Sequence, residues 1–135
     1  MNIMKTIKLL LAVTLLGGAL LSTPSCGKYE DGPGISLLTK KQRLCRSWDA
    51  KEYVSTSGTT VADTDDDFMT FEKDGTGKLT IGNVVFTGTW DFNSDKTKII
   101  SVYSSFSDEV TIMRLTNKEL WTKDSDGDIT KFEAK

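Results

Sequence analysis

Val84, Phe86, Gly88, Trp90 and Phe92 alternate along the chain with Val85, Thr87, Thr89 and Asp91. A period of two, apolar against polar, is the pattern of a strand with one face turned to a core. Similar runs predict further strands over Arg46–Val54, Asp67–Glu72, Lys78–Ile81, Lys98–Tyr103, Glu109–Leu115, Glu119–Lys123 and Asp128–Phe132. The stretches between them, Lys73–Gly77, Asn93–Lys96, Thr116–Lys118 and Asp124–Gly127, carry Asp, Asn and Gly. Asp-Gly and Asn-rich turns supply the positive φ that tight hairpins require. Connections this short hold no crossover helix, so neighbouring strands are expected to be antiparallel.

About eight short strands in series must hide their edges, and closing the meander into a barrel does so. A sandwich of two sheets is the rival, but it usually needs longer connections than any found after Gly82. Ahead of the strands, Ile35–Leu44 has apolar positions at 35, 37, 38 and 44, with Ser36 and Thr39 available as caps. That predicts a short helix or turn. From Arg46 onward there are three alanines and three leucines against fourteen threonines and eleven Val or Ile, a mixture that favours strands over helices. The expected architecture is all-β: an antiparallel meander of about eight strands closing into a small barrel, after one short helix or turn.

The N-terminus follows a different pattern. Met1–Lys8 is basic and Leu9–Leu21 is a 13-residue apolar run. A helix needs about 20 apolar residues to cross a bilayer, so this run is too short for a permanent span. Basic start, apolar middle and small-residue end match a secretory signal over residues 1–25. Gly17-Gly18 and Pro24 suit a cleavage region better than the alternative, a buried N-terminal helix.

The end of that segment, Ser22-Thr23-Pro24-Ser25-Cys26, resembles a bacterial lipobox, of the looser kind found in Bacteroidetes lipoproteins. The resemblance implies diacylglycerol on the Cys26 thiol and a protein held to the outer membrane, with its periplasmic or cell-surface orientation left open. Several acyl chains hold stably where one alone is marginal. Ordinary secretion with a Cys26–Cys45 disulfide is the alternative. Residues 26–35, which include Lys28, Glu30 and Asp31, read as a flexible tether, and their lysine-plus-acid cluster also resembles a surface-export signal. Residues 36–135 form the expected domain.

Charge and composition mostly exclude. The whole chain has 17 basic and 19 acidic side chains and no histidine. No Ser-His-Asp triad, Cys-His pair or imidazole zinc ligand can be built. An acidic body argues against nucleic acid as a partner. Asp124-Ser125-Asp126-Gly127-Asp128 looks like half a calcium loop, but its glycine falls at the fourth position and Glu133 at the tenth, so the EF-hand spacing fails. Asp63, Asp65, Asp66 and Asp67 could gather a cation, though adjacent loop carboxylates usually stay solvated. Cys45 has no histidine to activate it and reads as structural. No catalytic residue, cofactor or metal site is expected, and the chain is expected not to be an enzyme.

Leu44-Cys45-Arg46-Ser47-Trp48 is a strand start with its tryptophan two residues past the place where lipocalin-like domains usually carry glycine, here Arg46. Phe71–Gly77, Gly88–Phe92 and Ile112–Thr116 are further landmarks. Together, over roughly residues 44–133, they resemble the lipocalin-like domain of small Bacteroidetes-type lipoproteins. The resemblance implies a lipocalin-like barrel with an apolar lumen. Trp48 would close one end of the core, or be core as in any β-fold. Phe86, Trp90 and Phe92 read as core, with pocket lining as the alternative. Two functions stay open. One is binding of a small apolar or amphipathic ligand. The other is a filled barrel that docks to an envelope protein, with Tyr103 or Phe106 as contacts. The interior decides between them, because cavities above about 300 Å³ are those that hold small molecules.

Overall fold

The computed structural model describes residues 37–135. The expected signal peptide (1–25), the lipid-attachment residue Cys26 and the tether (26–35) lie outside the described residues. A five-residue helix, α1 (Lys40–Leu44), is followed by β1 (Ser47–Val54), β2 (Thr60–Ala62), β3 (Phe68–Phe71), β4 (Thr76–Ile81) and β5 (Val84–Phe92). Four more strands complete the described chain: β6 (Lys98–Tyr103), β7 (Ser107–Leu115), β8 (Glu119–Lys123) and β9 (Ile129–Ala134).

Helix α1 starts on a capping box. The Thr39 hydroxyl accepts from the Gln42 backbone N–H at 3.2 Å, and Thr39 N–H donates to the Gln42 side-chain carbonyl at 2.8 Å. Both otherwise unpaired donors are thereby satisfied.

Every adjacent strand pair from β3 to β9 is antiparallel, and β9 returns to β1 from Trp48↔Ala134 to Val54↔Ile129. Strands β1 and β3–β9 thus close an eight-stranded barrel. Strand β2 is an addition to the expected meander. The second edge of β1 pairs with β3 at Ser47–Asp49 and with β2 at Glu52–Val54. All three residues of β2 are exposed, so no apolar alternation marked the strand in the sequence. The turn that makes it uses Gly58 at φ 85°.

The alternation places the inner face as expected and one end of the lumen is packed solid. Leu44, Trp48, Phe71, Ile99, Leu115 and Leu120 are the largest fully buried side chains, and all lie at the α1 end of their elements. Excluding an indole of this size from water stabilises by roughly 4–6 kcal/mol. Arg46, which takes the usual glycine position, sets its guanidinium 5.7 Å from the Trp48 ring centroid and donates to the Asn117 carbonyl at 2.6 Å. Trp90 stacks edge-on with Phe71 and Phe92, at 5.4 Å in each case.

Candidate functional site: a half-open lumen

Beyond this plug the inner face continues toward the other barrel end, where the β4–β5, β6–β7 and β8–β9 hairpins turn. Here the side chains no longer fill the space, and a cavity of about 240 Å³ remains. Ala50, Met69, Leu79, Val110 and Phe132 form its apolar wall. Ala50 pairs with Phe132 across β1–β9, and the small alanine opposite the wide ring opens room. Ile81 extends the wall to the mouth and keeps 49 % of its surface exposed.

The mouth is acidic. Asp67, Asp108 and Asp124 line the cavity with Tyr53, Thr122 and Thr130, and no lysine or arginine is among its described lining residues. Asp67 and Asp124 are held by their loops. Asp67 Oδ1 accepts the Gly82 N–H at 2.9 Å, and Asp124 Oδ1 accepts the Asp126 and Asp128 N–H groups at 2.9 and 3.0 Å.

Asp108 arrives differently. It pairs with Ser101 across β6–β7 and follows the inward register of Ile112 and Val110. Its side chain keeps solvent contact, yet the surrounding wall raises its carboxyl above the ordinary range. The Glu109 backbone N–H opposes that rise and the nearby Asp124 charge adds to it. Tyr53 feels the same field. Removal from water first, then the Asp63 and Asp67 charges, push its phenol up to about 12. The Tyr53 hydroxyl lies 3.4 Å from Asp63 Oδ2. One carboxylate oxygen from each of Asp63, Asp65 and Asp67 falls within 4.8 Å of the others.

The residues singled out in the sequence fall elsewhere. Trp48 and Trp90 are buried in the plug, at 0 % and 6 % exposure. Phe92 is half-buried against them. Phe86 is half-buried on the β5 wall, 5.6 Å edge-on from Phe106, whose ring also tilts over Tyr103 at 4.7 Å. None of the four lines the cavity. Cys26 lies outside the described residues. Cys45 packs against the core as a free thiol, and burial raises its pKa despite Lys41 and Lys73.

Sequence reasoning missed the carboxylates as a group. Two acidic loops nearly sixty residues apart each read as solvated turns, and the barrel closure brings Asp67 and Asp124 to one rim. Asp108 was legible in principle, had the alternation of Ile112 and Val110 been carried back one step beyond Glu109.

Two larger hollows lie on the outer surface. One, about 330 Å³, surrounds Trp121, Lys131 and Glu119, and the other, about 520 Å³, runs beside Asp74, Thr89 and Val102. Both are more open than the lumen and formed largely by outward-facing side chains.

The described chain has a lipocalin-like barrel fold. Among solved structures it is similar to a lipocalin-like protein from Bacteroides uniformis, with a TM-score of 0.60 and 16 % identity over 69 % of this chain and 99 % of that one. A DUF4847 family protein from Bacteroides vulgatus matches with a TM-score of 0.52 and 10 % identity, over 70 % of this chain and 95 % of that one. A protein from Burkholderia xenovorans, solved by NMR, matches with the same TM-score and identity, over 82 % of this chain and 99 % of that one. At these identities the likeness is one of fold. No protein-family model and no curated protein matches the sequence.

Proposed function

We propose that this chain is a lipid-anchored envelope lipoprotein whose barrel binds a small apolar or amphipathic molecule in the half-open lumen, without transforming it. The observation that carries the reading is the 240 Å³ cavity, apolar along its wall and polar at its mouth. Unfilled apolar volume inside a barrel forfeits packing contacts, and a ligand restores them. The volume falls short of the ~300 Å³ at which size alone would favour ligand binding, so the reading rests on the unfilled apolar wall and the polar mouth. The ligand is therefore smaller than a long-chain lipid.

Native mass spectrometry of the protein purified from its own cells tests this: a bound species of low mass is the expected result. A bare chain, together with no shift of the Ala50 and Val110 NMR signals on titration with small apolar and amphipathic compounds, would overturn it.

The anchor rests on the residues before Cys26 and is tested separately. Cys26→Ser is expected to move the protein from the detergent phase to the soluble fraction, and unchanged partitioning would sink the lipoprotein reading.

A docking module is the second reading. Of the two contacts expected from the sequence, Tyr103 is buried at 6 % and Phe106 is exposed at 39 %, beside exposed Val84, Val85 and Val102, and aromatic side chains anchor interfaces. Crosslinking in intact cells that recovers one reproducible envelope partner, with an empty lumen, would favour it.

A further inference from the structure

The charge around the lumen selects among the ligands that its volume admits. An engineered cavity of about 150 Å³ accommodates benzene, so by proportion 240 Å³ admits a body of about ten non-hydrogen atoms. Its apolar end would face Met69, Leu79, Val110 and Phe132. Whatever polar group it carries must then meet Asp67, Asp108 and Asp124 at the mouth, where no lining residue is basic.

An anion placed there would face like charges across a partly desolvated rim. A neutral hydroxyl would leave the carboxylates as they are in the free protein. A cation would neutralise them. The charge set by Asp108 and Asp124 is already unfavourable to itself, since burial and mutual repulsion both raise the Asp108 carboxyl. A cation in the cavity relieves that repulsion, whereas a surface counter-ion is screened by water. The Tyr53 and Phe132 rings, both in the lining, offer aromatic surface that suits an ammonium group as well.

We infer that the ligand is a cationic amphiphile, an organic amine or quaternary ammonium on a compact apolar body of about ten heavy atoms. The inference rests on the ligand-binding reading above and adds its charge. Asp108 is the residue that contributes most, because it alone of the three reaches the lumen from a strand rather than a loop.

The test uses three probes of nearly equal body and different charge: phenethylamine, 2-phenylethanol and phenylacetate. Each is titrated into the purified full chain by calorimetry, with NMR shifts at Ala50 and Val110 locating the site. Phenethylammonium is expected to bind at least about ten-fold more tightly than the alcohol, the sum expected of a few partly exposed charge pairs. Phenylacetate should bind most weakly. Asp108→Asn should shrink the gap between amine and alcohol, and added salt should shrink it too.

An alcohol that binds as tightly as the amine, with shifts at the same residues, overturns the charge inference and leaves the lumen as a ligand site. If none of the three probes shifts Ala50 or Val110, the inference fails together with the ligand-binding reading. An amine that binds without shifting those residues is held on the acidic surface only, and that too overturns the proposal.

Discussion

The Trp48 indole N–H donates to the Leu44 carbonyl at 2.9 Å, inside a fully buried pair. That bond ties the first barrel strand to the last turn of α1, so the helix and the plug form one unit. It gives the helix-terminal Leu44 carbonyl a second donor beside the Arg46 N–H, which reaches the same oxygen at 2.8 Å.

Trp48→Ala is expected to cost about 3–5 kcal/mol, through lost burial and the cavity left behind. Trp48→Phe keeps most of the area and loses the indole bond, while the Leu44 carbonyl keeps the Arg46 N–H, and should cost about 0.5–1.5 kcal/mol. Denaturant titration of both variants checks the order. Equal losses would mean that burial of the ring contributes little, and a Trp48→Phe variant as stable as the parent would mean that the hydrogen bond contributes nothing.

Gly88 has no room for a side chain. A Cβ there would sit 2.0 Å from the Val102 carbonyl oxygen on β6, well inside van der Waals contact. Gly88→Ala must therefore push β5 and β6 apart, and it is expected to lose roughly 2–3 kcal/mol or more. Circular dichroism melts measure it. A variant as stable as the parent would show that the sheet yields there at little cost.

Asp108→Asn should stabilise the domain at neutral pH. The folded carboxyl titrates above its unfolded value of 3.8, so the native state binds more protons between those two values. The stability that this group contributes is present below the unfolded value and is lost as pH rises through the folded one. At pH 7 the parent bears the loss and the amide does not. Melting temperatures measured from pH 3 to pH 7 should favour the variant increasingly as pH rises. A constant difference across that range would contradict the electrostatic origin.

Tyr53 sets the alkaline limit. Its phenol moves from 10 in the unfolded chain to about 12 in the fold. The associated stability is full below pH 10 and drains away as pH rises toward 12. Tyr53→Phe should flatten that decline relative to the parent. Cys45 and Tyr103 are also raised by burial, so the variant should retain a residual slope. Unfolding curves at pH 9, 10 and 11 decide it, and an unchanged slope in the variant would clear Tyr53 of the effect.

Most of the barrel was legible because its physics is local. Alternation in Val84–Phe92 and the Asp-Gly turn at Asp74-Gly75 each depend on residues within one strand or hairpin, and Gly75 does adopt φ 93°. Strand β2 was not legible, since Thr60, Val61 and Ala62 bury nothing and pair only because β1 leaves half an edge free. The position of the cavity was not legible for a related reason. The widest aromatics, Trp48, Trp90 and Phe92, read as core with a pocket only as the alternative, and they do pack in or against the core, because wide rings fill space. The lumen opens where Ala50 is small, and the bulge between Ala50 and Glu52 shifts the register of the strand beyond it.

The sequence by itself determined an all-β meander, its turns, its inward face and a chain without histidine chemistry, because strand period and turn conformation are properties of neighbouring residues. Only the tertiary structure decided which end of the barrel is solid and which is open. It also decided that Asp67, Asp108 and Asp124 share one rim. Those facts arise from closing β9 onto β1, which sets residues far apart in the chain around a single axis, and no local pattern encodes which side chains meet there.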